Sequence, residues 1–438
     1  MVKIVLIGAG SSQFGLGTVS DIFKSESLKN CNITLHDINE KALEKTRATA
    51  EKYKNDFNAN CIVDATTNRR DALKNADYCL ISIEVGNRFE LWDQDWKIPL
   101  QYGFKQIYGE NGGPGGLFHS LRITPAIIDI CEDINEICPD AFVFNYSNPM
   151  QRICHAVTTK FPDLRFIGLC HEIKSMNRQL PDLMETEMHN IEYRAAGLNH
   201  LSILLEARYK NTGKDGYPII KQNFDAYFSD LVNKHDAKPS NPGAERGVFR
   251  KLFKTYGYLP ITTDSHLGEY IQWAYSVADH DAILDFYDNY KEKCLAFYDN
   301  KTSYDHYFDL KNLDTHERVV PIIEGILSDS EYEEPAINIP NNGYIECLPK
   351  NIVVEVPGII NKSGISGICF KEYPAAFGSL LNLQSGVIQM TTDAVLNSSK
   401  HSAYLALLAD PVVNDSQQAE RLLNNMLKTQ SKFLGYLK

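Results

Sequence analysis

The sequence predicts an α/β fold: a doubly wound, mostly parallel sheet over residues 1–170, then a mixed α+β unit over residues 171–438. Three observations lead there. Short apolar runs alternate with amphipathic ones through the first 170 residues, a glycine-rich turn directly follows the first run, and the alternation stops after Glu172. Regular alternation of strand and helix implies parallel strands joined by right-handed crossovers.

Taken in order, Lys3–Ile7 is an apolar strand that stops at Gly8-Ala-Gly10-Ser11-Ser12. Residues 33–36 form a second strand ending at Asp37, and residues 39–57, rich in Glu, Lys and Ala, a charged amphipathic helix. Strands follow at 61–64, 78–83, 141–146 and 166–169. Between 124 and 138 the apolar positions Ile127, Ile130, Ile134 and Ile137 recur at helical spacing. In the second half, runs 203–209, 336–339 and 352–356 are strand-like. Segments 248–256, 282–298 and most of the chain from Tyr373 onward are helical, with loops at 236–245 and 329–335.

A chain of 438 residues is long enough for two or three domain-sized units. Its apolar share of 43% and charged share of 23% belong to an ordinary globular protein. The net charge of −12, with no dense basic block, argues against nucleic acid or an anionic membrane surface as partner. A first strand that begins at residue 3 leaves no room for a signal segment, and the ten cysteines show no framework spacing. Both features lead us to expect reduced thiols in a cytoplasmic protein.

Four motifs and one polar stretch carry chemistry. Gly8-Ala-Gly10 after a strand permits a tight turn and close approach of backbone N–H groups to a pyrophosphate. Gln13 stands where the fingerprint has its third glycine. Asp37, at the end of the second strand, strengthens the motif, because a carboxylate there binds ribose hydroxyls and selects NAD over NADP. Strand, glycines and acid together read as a Rossmann-like NAD domain, with Gly8, Gly10, Ser11 and Asp37 as cofactor-binding residues.

The second motif is Gly109-Glu110-Asn111-Gly112-Gly113-Pro114-Gly115-Gly116, which reads either as a loop shaped for a ligand or as a mobile lid. Third, Asn148-Pro149 beyond a strand suits an amide that holds a substrate hydroxyl, and equally suits a helix cap. Last, Cys170-His171-Glu172 and Asn199-His200 each end a strand-like run. A thiolate and a neutral imidazole together are ligands for a borderline divalent metal, although a buried cysteine and two satisfied histidines fit the same letters. The polar stretch 259–270, with Asp264, His266, Glu269 and Tyr270, offers acid–base groups or simply a solvated loop.

Together these blocks resemble glycoside hydrolase family four, the NAD- and metal-dependent glycosidases, over essentially the whole chain. The matching blocks are Ile7-Gly-Ala-Gly10-Ser11, Gly113-Pro-Gly-Gly116, Asn145-Tyr-Ser-Asn-Pro149, Gly168-Leu-Cys-His-Glu172 and Gly197-Leu-Asn-His200, with Asn341-Asn-Gly343 and Val353-Val-Glu-Val356 further on. The resemblance implies a lactate/malate-dehydrogenase-like architecture and a cycle of C3 oxidation by NAD, C2 deprotonation, elimination at C1 and water addition. It also implies a divalent metal, usually Mn²⁺, and a homodimer or homotetramer. By position it assigns Cys170 and His200 as metal ligands, Asn148 to the sugar hydroxyls and His171 to the leaving group. It puts Glu110 near the metal, with Asp264 and then His266 as candidate base. Cys-His members resemble enzymes of unphosphorylated α-glycosides, and Trp92 stands about where phospho-specific members carry Arg. The branch most resembled takes α-galacturonides or α-galactosides, with α-glucosides next. A uronate needs a cation, for which Arg122, Arg88 and Lys97 are candidates.

Two other functions share the first-domain pattern. A malate- or lactate-type dehydrogenase has no need of Cys170 with His200 and is a shorter chain. A non-catalytic NAD-binding regulator binds dinucleotide without metal or turnover.

Overall fold

The computed structural model describes residues 1–10, 15–234, 244–298 and 317–438. In the first half β1 (Lys3–Ile7), α1 (Gly15–Lys24), β2 (Asn32–His36), α2 (Glu40–Asp56), β3 (Ile62–Thr66), α3 (Arg69–Leu73) and β4 (Tyr78–Ile81) follow one another. After them come α4 (Arg88–Gln101), α5 (Gly113–Ile137), β5 (Phe142–Asn145), α6 (Met150–Lys160) and β6 (Arg165–Gly168). All six strands are parallel and lie in the order β3-β2-β1-β4-β5-β6. That is the doubly wound arrangement, whose switch point falls between β1 and β4. β4 and β5 are buried at every position, as strands covered by helices on both faces must be.

Local chemistry explains the element ends. Asn39 caps α2, its side chain accepting from Ala42 N at 3.2 Å, and Leu43, Thr46, Ala50 and Tyr53 form the buried stripe of that helix. The glycine-dense motif is not a loop throughout. Its second half is the first turn of α5, and the glycines serve packing: a Cβ on Gly115 would lie 2.6 Å from Asp95 O, and one on Gly116 2.3 Å from the Asn111 carbonyl carbon. At the other motif, Pro149 itself occupies the cap position of α6, so Asn148 is outside the helix and makes no cap bond.

The second half completes the same sheet. β7 (Ile191–Leu198), β8 (Leu201–Tyr209), β9 (Tyr332–Pro340), β10 (Val353–Asn361) and β11 (Gly364–Gly367) are antiparallel, and β9 joins β6 at Gly168–Asn338. The sheet therefore runs unbroken across residue 170. The loop expected at 329–335 gives way to β9 from Tyr332, and most of the loop at 236–245 lies outside the described residues. Helices Ala375–Leu396, Lys400–Ala409 and Ser416–Thr429 cover α5, burying Leu407, Leu422 and Met426 against Phe118 and Leu121. Among the described residues no helix is long and apolar enough to cross a membrane.

Candidate active site

A cavity of about 850 Å³ opens at the carboxyl ends of β1, β4, β5 and β6, where doubly wound sheets bind ligands. At one end lie Gly8, Gly10 and Asp37. Gly8 has φ 87°, and a Cβ there would stand 2.1 Å from Ser82 O, so only glycine fits between β1 and β4. Asp37 accepts from Gly10 N at 2.9 Å and from Asn39 N at 2.8 Å, which fixes its carboxylate at the mouth of the turn. Ser11 lies outside the described residues.

At the other end β6 delivers Cys170 and the β7–β8 turn delivers His200, with Cys170 Sγ 3.4 Å from His200 Nε2. Burial pushes the Cys170 thiol well up, and the charges of Glu355 and Glu172 add to it. Burial pushes His200 well below the usual imidazole range, helped by His266 and His171, so it is the neutral ligand form. His200 Nδ1 and His266 Nδ1 are buried without a hydrogen-bond partner. Among the described residues no three His, Cys, Asp or Glu side chains converge on one point. A thiol, an imidazole and orphaned ring nitrogens fit a divalent metal with positions left open for oxygen donors of a ligand.

Acid–base groups ring this pair. His266 stacks on His200, with ring centroids 4.4 Å apart, and its Nδ1 is 4.0 Å from Glu110 Oε2. Glu110 is buried and meets Arg88 Nη2 at 3.0 Å, while Glu269 accepts from Glu110 N at 2.6 Å and fixes its backbone. His171 stands on the cavity wall, 3.4 Å from Glu317 Oε1 and 3.8 Å from Glu172 Oε1. Desolvation opposes its charge, but the two carboxylates outweigh it and raise the imidazole to about 9. Burial likewise opposes charge on Glu84, which His119 at 3.4 Å and Arg88 overcome, holding it at about 2. Asn148 lines the same cavity.

The sequence model described as "Family 4 glycosyl hydrolase" matches residues 3–186, and that of the "Family 4 glycosyl hydrolase C-terminal domain" matches residues 195–413. The chain is a family 4 glycosyl hydrolase. It is 47% identical to an alpha-glucosidase of Erwinia rhapontici, over 100% of this chain and 99% of that one. It is 31% identical to an alpha-galactosidase of Bacillus subtilis, over 94% and 93%. A 6-phospho-alpha-glucosidase from gut microorganisms, solved in complex with NAD and Mn²⁺, superposes with a TM-score of 0.81 over 99% of this chain and 98% of that one at 19% identity, which bears on the fold.

In this family 4 hydrolase two expected site residues turn away from the cavity. Asp264 is fully buried, and its carboxylate accepts from the backbone N–H of Gly247 at 2.7 Å, Phe249 at 3.0 Å and Asp279 at 3.2 Å. It ties the start of the helix Gly247–Tyr256 to its own short helix and presents no oxygen to a substrate. Arg122 is buried on α5 between Asp95, at 2.7 Å, and Gln430, at 2.8 Å, where it joins α4 to the C-terminal helices. Lys97 pairs with Asp93 on an exposed face of α4. Trp92 does stand in the cavity wall, its Nε1 donating to Tyr108 O at 2.9 Å within an edge-to-face cluster with Tyr108 and Tyr287.

Glu84, His119, Glu317 and Tyr290 also belong to the site and lie outside the motifs legible in the sequence. Glu84 stands three residues beyond β4, as Asn148 does beyond β5, so the strand-end rule that selects Asn148 selects it too. Nothing local marks His119, which comes from α5, or Tyr290, whose ring lies 5.4 Å from the Arg88 guanidinium and comes from the helix His280–Tyr298.

Proposed function

We propose that this family 4 hydrolase cleaves neutral, unphosphorylated α-glycosides, α-glucosides first and α-galactosides next, using NAD and a divalent metal such as Mn²⁺. The observation that carries the substrate class is the charge of the cavity. Among its described lining residues the only Lys or Arg side chains are Arg69 and Arg88. Arg69 is bound to Asp133 at 2.5 Å, and Arg88 to Glu110 at 3.0 Å. Glu84, Glu110 and Glu172 line the same space, and the cationic His171 is paired with Glu317 and Glu172, so among the described lining residues a uronate or a 6-phosphate would meet like charge and only cations that already have carboxylate partners. Trp92, which the family resemblance puts about where phospho-specific members carry Arg, lines this cavity with an uncharged indole. This favours a neutral sugar over the galacturonide that the sequence ranks alongside it, and the α-linkage is supported by the names of the relatives.

Gly8, Gly10 and Asp37 would hold the dinucleotide, and Cys170 and His200 the metal. When bound, the one supplies a hydride acceptor and the other Lewis acidity. Asn148 offers an amide to the sugar hydroxyls. His266, beside His200 and within reach of Glu110, takes the C2 proton, since Asp264 faces backbone. Glu110 is engaged by Arg88 at 3.0 Å, which leaves His266 as the side chain of the two without a hydrogen-bond partner at Nδ1. His171, held cationic by Glu317 and Glu172, donates the proton that the departing aglycone needs.

The test is release of aglycone from a panel of aryl α- and β-glycosides, α-galacturonide and 6-phospho-α-glucoside. NAD⁺, Mn²⁺ and thiol are omitted in turn while NADH absorbance is followed. Hydrolysis of neutral α-glycosides that needs both cofactors, without net NADH, is expected. Preference for the uronide or the phosphosugar would sink the charge account, and steady NADH without aglycone would make the protein a dehydrogenase.

A further inference from the structure

We propose that Glu355 is a positioning residue for the metal pair: from β10 its carboxyl group fixes both the turn that carries His200 and the strand end that carries Cys170. The proposal rests on the assignment of those two residues as metal ligands.

His200 needs holding. Asn199 and His200 form a two-residue connection between β7 and β8, with Leu198 paired to Leu201 across it. Such tight connections favour the left-handed region at both central residues, usually with glycine or asparagine. Here His200 is left-handed, at φ 63°, and Asn199 is not. A side chain with a Cβ thus sits in a strained conformation, in a turn whose twist does not match its strands, and persists only where its surroundings over-determine it.

Glu355 supplies that constraint. It is buried, and β10 meets β7 through the single pair Glu355–Gly197, next to the turn. Oε2 accepts from Asn199 Nδ2 at 2.8 Å, and Oε1 lies 2.8 Å from Ser202 Oγ, so one carboxyl group grips the turn on both sides of His200. Oε2 also receives Asn338 Nδ2 at 3.3 Å, and the same amide reaches Gly168 O at 3.4 Å, two residues before Cys170. From α6, Gln151 Oε1 takes the Asn199 N–H at 3.1 Å while its amide donates to Val353 O. No group on this path touches the reacting atoms, but each fixes where a ligand stands.

A proton count predicts which replacement is tolerated. Ser202 Oγ has one proton and two oxygens in reach, Leu198 O at 2.9 Å and Glu355 Oε1 at 2.8 Å. A donor at the Oε1 position completes the set. Glutamine provides it and keeps an oxygen for Asn199 and Asn338, whereas alanine takes the Asn199 amide's link to β10 away and leaves Ser202 only Leu198 O and Asn338 only Gly168 O.

Co²⁺ titration of the purified full-length protein tests this, following the thiolate-to-cobalt charge-transfer band with folding monitored by circular dichroism. Glu355→Ala should bind Co²⁺ roughly 10–100-fold more weakly with a weakened band, and Glu355→Gln should stay within about threefold of the parent. Cys170→Ala, as control, should lose the band. A Glu355→Ala protein with parental affinity and spectrum would overturn the proposal, as would equal losses in the Gln and Ala variants. Retention of the band by Cys170→Ala would instead remove the metal assignment and the proposal with it. Should Glu355→Ala not fold, Asn199→Ala breaks the same link from the other side, and unchanged Co²⁺ binding there is equally fatal.

Discussion

Nε2 of His200 lies 3.4 Å from Sγ of Cys170, a contact between two strand ends 30 positions apart. The end of the cavity proposed to hold the dinucleotide, at Gly8 and Asp37, is built from other elements. Removing the thiol should therefore separate the two functions. Cys170→Ala is expected to lose about 10³-fold or more in kcat/KM, the several kcal/mol that a Lewis acid supplies. Its NAD⁺ affinity, measured by fluorescence titration, should stay within about twofold, well below the tenfold that 1.4 kcal/mol would cause. Full hydrolytic activity in this variant would mean that no metal acts through Cys170.

His266 and Asp264 stand two positions apart and face opposite ways. His266→Asn should lower kcat by about 10²–10⁴-fold, the usual contribution of a positioned base, with thermal stability nearly unchanged. Asp264→Asn should show the reverse. Its amide cannot accept the N–H groups of Gly247, Phe249 and Asp279 as the carboxylate does, so the unfolding midpoint falls while the folded fraction retains turnover. Exchange of the substrate C2 proton with deuterated water would report the base directly. Normal exchange in His266→Asn would rule out its role.

Arg122 gives a test of a different kind. It is paired with Asp95 and Gln430 in the interior, and breaking a buried ion pair from one side costs about 3–5 kcal/mol. Arg122→Ala should lose stability on that scale in urea, with KM for the glycoside unchanged in the folded protein. A raised KM without loss of stability would return Arg122 to the substrate.

Asp410 should make stability depend on pH. Burial raises its carboxyl to about 6, against the opposing pull of Arg152 and the Val412 N–H. Its folded pKa is above the unfolded value near 3.8, so the folded state holds the proton longer. The contribution is fully present below about pH 4 and is lost as pH rises through about 6, at most roughly 3 kcal/mol. Asp410→Asn cannot ionise, so its stability relative to the parent should improve by up to that amount between pH 4 and pH 7. A constant difference between the two proteins across that range, from urea unfolding, would contradict the assigned ionisation.

Much of the first half was legible without the fold. Lys3–Ile7, the turn at Gly8 and the capped helix after Asn39 are encoded by neighbouring residues, and the sequence places them within a residue or two. The cavity end formed by Cys170 and His200 was also legible, because both follow directly on apolar strands. The helix that begins at Gly113 was not, since glycine and proline read as loop, and only the chain wrapped closely around them shows why a Cβ is excluded.

The sequence by itself thus determined the alternating sheet, the glycine turn after the first strand and the placement of Cys170 and His200 beyond strand ends, all set by periodicity and by residues at strand ends. Only the tertiary structure decided what each charged side chain does. Arg122 and Gln430 are 308 positions apart, and Ser202 and Glu355 are 153 apart. A guanidinium or carboxylate has the same letters whether it meets substrate, backbone or another charge. Its burial and its partner, which fix its energy, exist only after distant segments have packed.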